Sequence, residues 1–193
     1  MPDTSSIITA QRFAKGLTFQ EYLNSLGETK ARFEPHIAAF KLADSDASFF
    51  KDAVKKCGAI KIVAIGEDWC PDVHRGLPIV EKIAEASGME VRFFHREKNP
   101  DIMNLFLKDG KFQSIPVFAF FDGNFKYLTH WTERPVEASK FYDLIRTELS
   151  QQKMPEEEMR KAMREKVAPL ADEWRKETVK EIRAHLADAI KKR

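Results

Sequence analysis

Ala59-Ile60-Lys61-Ile62-Val63-Ala64-Ile65-Gly66-Glu67-Asp68-Trp69-Cys70-Pro71-Asp72-Val73 is the stretch on which the reading of this chain turns. Its first seven residues are nearly all apolar and largely β-branched, the pattern of a central strand buried on both faces. Gly66 ends that strand. From Pro71 to Ser87 the chain then carries Leu77, Val80, Ile83 and Ala84 at helical spacing, until Gly88 stops it. The unit is strand, loop and helix, with Cys70 at the junction.

Toward the C-terminus, Met89 to His95 predicts a second strand, Asn99 to Leu107 a short helix, and Ser114 to Phe121 a third strand interrupted by Pro116. Asp122-Gly123 offers the positive-φ turn of a hairpin, so Asn124 to Trp131 is expected to pair back on the third strand. Glu137 to Leu149 is amphipathic, with Phe141, Leu144, Ile145 and Leu149 on one face. The order βαβαββα calls for a right-handed parallel crossover followed by an antiparallel hairpin. The expectation is an α/β fold with a mixed four-stranded sheet covered by helices.

Upstream, Phe13, Leu17, Phe19, Tyr22, Leu23 and Leu26 recur at helical spacing in a region that reads as peripheral, and Thr18 with Glu21 has the form of a capping box. Phe33, Ile37, Phe40, Phe49, Phe50 and Val54 lead on to Cys57-Gly58, a helix stop. Beyond Ser150 the chain is charged in both signs. Met159, Met163, Val167, Leu170, Trp174, Ile182, Leu186 and Ile190 form an apolar stripe there, and Pro169 predicts a division into two helices. The organisation is an N-terminal helical extension over 1–58, a central domain over 59–150 and a C-terminal amphipathic helical extension over 151–193. The stripe suits a packing face or a homodimer through the C-terminal helices.

The 193 residues, 43% hydrophobic, suffice for one packed core with added helices. Charged residues make up 32% and balance to +2, so nothing points to nucleic acid or an anionic membrane as partner. No stretch approaches the roughly 20 apolar residues of a membrane helix, and Met1 to Gly16 lacks the basic start and apolar run of a secretory leader, so the expected location is cytoplasmic. Of the two cysteines, Cys57 precedes the first strand and Cys70 follows it. A rise of about 3.3 Å per residue puts roughly 20 Å between them, too far for a disulfide.

Cys70 therefore stands alone, at a helix N-terminus whose unpaired N–H groups and dipole favour an anion such as a thiolate. His74 and Arg75, one turn along, add to that effect; Glu67, Asp68 and Asp72 oppose it, so the dipole's direction is readable but the net pKa is not. Pro71 loses nothing at the first helical position, where its missing N–H would be unpaired. Asp68 and Asp72 read as capping or dipole partners, His74 as a solvent-facing helix residue, and Cys57 as a packing residue. Trp69 either covers the thiol or fills space. His74, His95, His130 and His185 show no ligand spacing among themselves or with the cysteines, so no metal or other cofactor is expected.

Trp69-Cys70-Pro71-Asp72-Val73, Pro78 eight residues after the cysteine, and Ser114-Ile115-Pro116-Val117 ahead of a hairpin resemble the thioredoxin-like superfamily, and most closely its proteins with a Trp-Cys-Pro-Asp-Cys site. The resemblance covers roughly Ala59 to Ser150 and implies a thioredoxin-like fold. It makes Cys70 the catalytic residue, supported by Trp69, Pro71, Asp72, Val73 and Pro116. It also implies that Pro116 is a cis proline facing Cys70, leaving the backbone at Ile115 and Pro116 to bind an extended thiol substrate. Two departures matter: Val73 stands where the family has its resolving cysteine, and Ala64 where thioredoxins commonly have a buried carboxylate. The expectation is a monothiol oxidoreductase whose partner is a disulfide-containing protein or a low-molecular-weight thiol. The rival reading is a non-catalytic binding module that holds a protein partner with the groove around Trp69 and Pro116 or with the tail.

Overall fold

The structure, a computed structural model, describes residues 4–152 and 154–193; the first three residues of the stretch tested for a leader, and Lys153 in the tail, lie outside the described residues. The N-terminal region forms α1 (Ala10–Ala14), α2 (Phe19–Asn24), α3 (Glu34–Ala39) and α4 (Asp44–Cys57). α2 begins on the expected capping box, with the Thr18 hydroxyl accepting from the Glu21 N–H and the Glu21 carboxylate accepting from the Thr18 N–H. The region read as peripheral is in fact built into the core. Phe13, Phe19, Tyr22, Leu23 and Phe33 are buried with the strand residues in one cluster.

β1 (Ile60–Gly66), α5 (Pro71–Ser87), β2 (Glu90–His95), α6 (Pro100–Met103), β3 (Val117–Asp122), β4 (Tyr127–Thr132) and α7 (Val136–Ser150) follow in the expected order. The sheet runs β2-β1-β3-β4, with β1 parallel to β2 and antiparallel to β3, and β4 antiparallel to β3. β1 and β3 lie at the centre, which is why β3 is buried along its whole length. The free edge of β2 is closed by Leu17, which exchanges two backbone hydrogen bonds with Phe93, at 2.9 and 2.8 Å.

Three local expectations are corrected. β3 starts at Val117, so Pro116 precedes the strand rather than interrupting it. The hairpin is not a tight Asp-Gly turn: the positive φ falls on Phe125 (61°), and the Asp122 carboxylate organises the loop by accepting from the N–H groups of Asn124 (2.9 Å) and Lys126 (3.0 Å). On α7, Leu144 points to solvent, and the buried face is Ala138, Ile145 and Leu149.

The tail forms α8 (Glu156–Val167), a 3-10 turn at Ala168–Leu170 containing Pro169, and α9 (Ala171–Lys191). Trp174, Val179, Ile182 and Leu186 of α9 are buried, and the last three join the main core. Glu181 accepts from the Trp131 indole N–H (2.7 Å), and His185 donates to the His130 carbonyl (2.9 Å), so α9 is fastened to β4. The α9 stripe that suggested a homodimer is thus covered by its own chain. No helix among the described residues is long and apolar enough to cross a membrane.

Candidate active site at the start of α5

Cys70 is the N-cap of α5, with extended backbone angles, and Pro71 opens the helix. The Cys70 carbonyl accepts from the N–H groups of Val73 (3.0 Å) and His74 (3.3 Å), which begins the helical ladder. Its thiol is buried and donates to the Ile115 carbonyl, at 3.6 Å. The Ile115–Pro116 peptide bond is cis. Ile115 and Pro116, taken from a segment 45 residues downstream of Cys70, therefore lie against it in space.

Gly76 permits this approach: a Cβ there would stand 2.9 Å from Pro116 Cγ and 3.1 Å from Phe118 Cζ. Val73, at the position expected for a resolving thiol, is fully buried and packs under the end of β1. A Cβ on Gly66 would come within 2.7 Å of Val73 Cγ1, so the two residues fit as glycine and valine. Trp69 is 51% exposed beside the buried thiol, and the Arg96 guanidinium lies 4.9 Å from the centre of its ring.

His74 is not the solvent-facing residue that its helical position suggested. Its Nε2 donates to the Asp68 carbonyl at 2.5 Å and its ring lies 4.9 Å from that of Phe33, while burial pushes its pKa down. A neutral imidazole fixed in this way is a structural group rather than a proton shuttle. The Asp68 side chain accepts from the Thr29 hydroxyl (2.6 Å), which ties the loop to the N-terminal region.

Asp72 is buried with both oxygens engaged, one by Arg75 and the other by Arg134 at 2.6 Å. Arg134 also pairs with Glu133 (2.7 Å), stacks over the Tyr142 ring (4.2 Å), and comes from the segment just after β4. Sequence reasoning missed Arg134; the one available signal was that a buried Asp72 would demand a cation.

Burial raises the pKa of the Cys70 thiol, and the charge of Asp72 raises it further. The N–H groups of Val73 and Asp72, with the Arg134 charge, pull the other way and do not prevail. Cys57, half-buried at the end of α4, is a free thiol, as is Cys70. Among the described residues no three His, Cys, Asp or Glu side chains gather as a metal site.

A family model described as Thioredoxin matches residues 16–154. The chain belongs to the thioredoxin family. Among solved structures, a crystal structure of a protein of unknown function from Pseudomonas aeruginosa is similar to this thioredoxin-family chain with a TM-score of 0.66 at 14% identity, over 95% of this chain and 99% of that one. An HIV epitope scaffold is similar with a TM-score of 0.62 at 12% identity, over 94% of this chain and 99% of the scaffold. At such identities the likeness is one of fold, here the thioredoxin-like α/β fold with helical additions. No curated protein matches the chain.

Proposed function

We propose that this thioredoxin-family protein exchanges thiols and disulfides through Cys70 alone, on a disulfide-containing protein or a low-molecular-weight thiol, in the cytoplasm. The observation that carries the reading is the Cys70 thiol at the first turn of α5, 3.6 Å from the Ile115 carbonyl at the cis bond. In the first step the Cys70 thiolate attacks a disulfide R–S–S–R′, forming Cys70–S–S–R and releasing R′S⁻, which takes up a proton. A second thiolate, R″S⁻, then attacks the R sulfur, releasing R–S–S–R″ and restoring Cys70. The protein ends as it began, so no resolving cysteine is needed.

Because the thiol pKa is raised, the reactive thiolate is scarce at neutral pH and the exchange rate rises with pH beyond the range of free cysteine, about 8.5. The test is incubation with oxidised glutathione across pH, with mass spectrometry of the mixed disulfide at Cys70 and with Cys57 as the internal comparison. Formation that grows with pH and vanishes in Cys70→Ser supports the reading. Modification of Cys57 alone sinks it.

One observation favours a second reading. A protonated, buried thiol next to a half-exposed Trp69 suits a binding module that holds a protein partner without chemistry. Under that reading Cys70→Ser captures the same partner as the wild type, and Trp69→Ala does not.

A further inference from the structure

Three contacts around Cys70 close into a ring through the chain. The thiol donates to the Ile115 carbonyl (3.6 Å), and Pro116, the next residue, accepts from the Glu133 N–H (2.7 Å). Glu133 is followed by Arg134, which pairs with Asp72 (2.6 Å), two residues beyond Cys70 on α5. Arg134 is held in turn by the Glu133 carboxylate (2.7 Å) and by the face of Tyr142, and Glu133 by Lys108 (2.5 Å). Arg134 is therefore the point at which the segment carrying the cis bond is joined to the helix carrying the thiol.

We propose that Arg134 is a positioning residue for Cys70: by holding and neutralising the Asp72 carboxylate, it sets how much of that charge the thiol feels, and so how reactive the thiol is. The inference deepens the reading of Cys70 as a nucleophile and rests on it for its biological meaning. Also facing the pair are Arg75, which shares Asp72, Arg175 of α9, which lines the same cavity, and the neutral phenol of Tyr142, whose hydroxyl accepts from Arg75 at 3.4 Å. On the loop before the helix, Glu67 is committed to the Glu97 N–H (2.8 Å) and Asp68 to Thr29. His74 is neutral against the Asp68 carbonyl. Of these acids, Asp72 is the one whose charge acts on the thiol, and Arg134 acts on it from the opposite sign. Since the Asp72 side chain is buried, little solvent screens the exchange.

The experiment is the pH dependence of Cys70 alkylation by iodoacetamide in the full chain, with far-UV circular dichroism as the check on folding. Arg134→Gln is expected to move the alkylation midpoint toward alkaline pH by about one unit, roughly a tenfold slower reaction at neutral pH. Asp72→Asn is expected to move it toward acid, and Arg134→Lys, which keeps the charge, to stay closer to wild type than Arg134→Gln. In the double variant the Arg134 change should have a smaller effect than in the wild type, because only the direct action of its charge on the thiol is left once the Asp72 carboxylate it holds is gone. Equal shifts from Arg134→Gln in both backgrounds would mean that the arginine acts on the thiol only by its own charge and not through Asp72, and would overturn the positioning role. So would an unmoved midpoint in Arg134→Gln. If Arg134→Gln does not fold, Arg134→Lys compared in the wild-type and Asp72→Asn backgrounds takes its place: a shift that is larger in the wild-type background supports the proposal, and equal shifts or none refute it. Alkylation reads ionisation whether or not the protein exchanges disulfides, so a wild type that forms no mixed disulfide would sink the monothiol reading and leave this measurement standing.

Discussion

A valine closed off from solvent under the end of β1 occupies position 73, one helical turn from Cys70. Residues three apart on a helix lie about 5 Å apart, within the Cα range of a disulfide. Val73→Cys is therefore expected to form a disulfide with Cys70 on mild oxidation, leaving Cys57 alone to titrate. Losing part of a buried branched side chain should cost about 0.5–1.5 kcal/mol, to be measured by urea denaturation of the reduced protein. If Cys70 and the new thiol both still titrate after oxidation, the packing at Gly66 holds position 73 away from the thiol and the prediction fails. At this scale Cys70, Trp69 and Pro116 were legible because they form a local motif or one resembling a known pattern. Arg134 was not: among 32 Lys and Arg residues nothing in its neighbourhood marks the one that pairs with Asp72, 62 positions away.

Helical elements reveal which of their residues are buried before they reveal what buries them. The stripe on α9 was readable from its spacing, whereas the occupant of that stripe was open between a partner copy and the chain itself, because docking onto β4 is a long-range contact that periodicity does not encode. The structure closes it with β4, α4 and α5. Ile182, fully buried in the main core, is the residue that separates the two cases. Ile182→Ala is expected to lower stability by about 2–5 kcal/mol in urea denaturation while leaving the sedimentation coefficient unchanged. A change in mass with unchanged stability would return α9 to an intermolecular role. The hairpin gives the converse lesson. Asp122-Gly123 announced a turn correctly, and its backbone bond from the Phe125 N–H to the Asp122 carbonyl is made (3.0 Å), but the positive φ moved to Phe125 and the Asp122 carboxylate added bonds to the Asn124 and Lys126 N–H groups that the dipeptide alone did not announce.

Acid stability is a property of the whole molecule, since the groups that govern it lie on different layers. His36 on α3 sits 3.4 Å from Arg175 of α9, His74 on α5 donates to Asp68, and His130 on β4 accepts from the Tyr127 hydroxyl (2.5 Å). Burial pushes the pKa of all three down from 6.5, that of His36 to about 4. The folded state therefore prefers neutral imidazoles, and their contribution is complete above pH 6.5 and is lost as pH falls through the folded values toward 4. Glu81 on α5 works in the opposite sense. Half-buried, with Glu85 adding to the effect and Lys82 opposing it, its pKa is raised from 4.5 to about 7, so its ionisation weakens the fold as pH rises across that interval. Its shift is close in size to that of His36, and His74 and His130 tip the balance. The melting temperature is expected to fall on acidification from pH 7 to pH 5. In Glu81→Gln, which removes the opposing contribution, the protein should be more stable than wild type at pH 7 and nearly equal to it near pH 4.5, so that its fall with acid is steeper. A Glu81→Gln curve parallel to that of the wild type would show that Glu81 ionises in the folded protein as it does in the unfolded chain, and a wild-type melting temperature that rises toward pH 5 would show that the histidines do not set the acid limit.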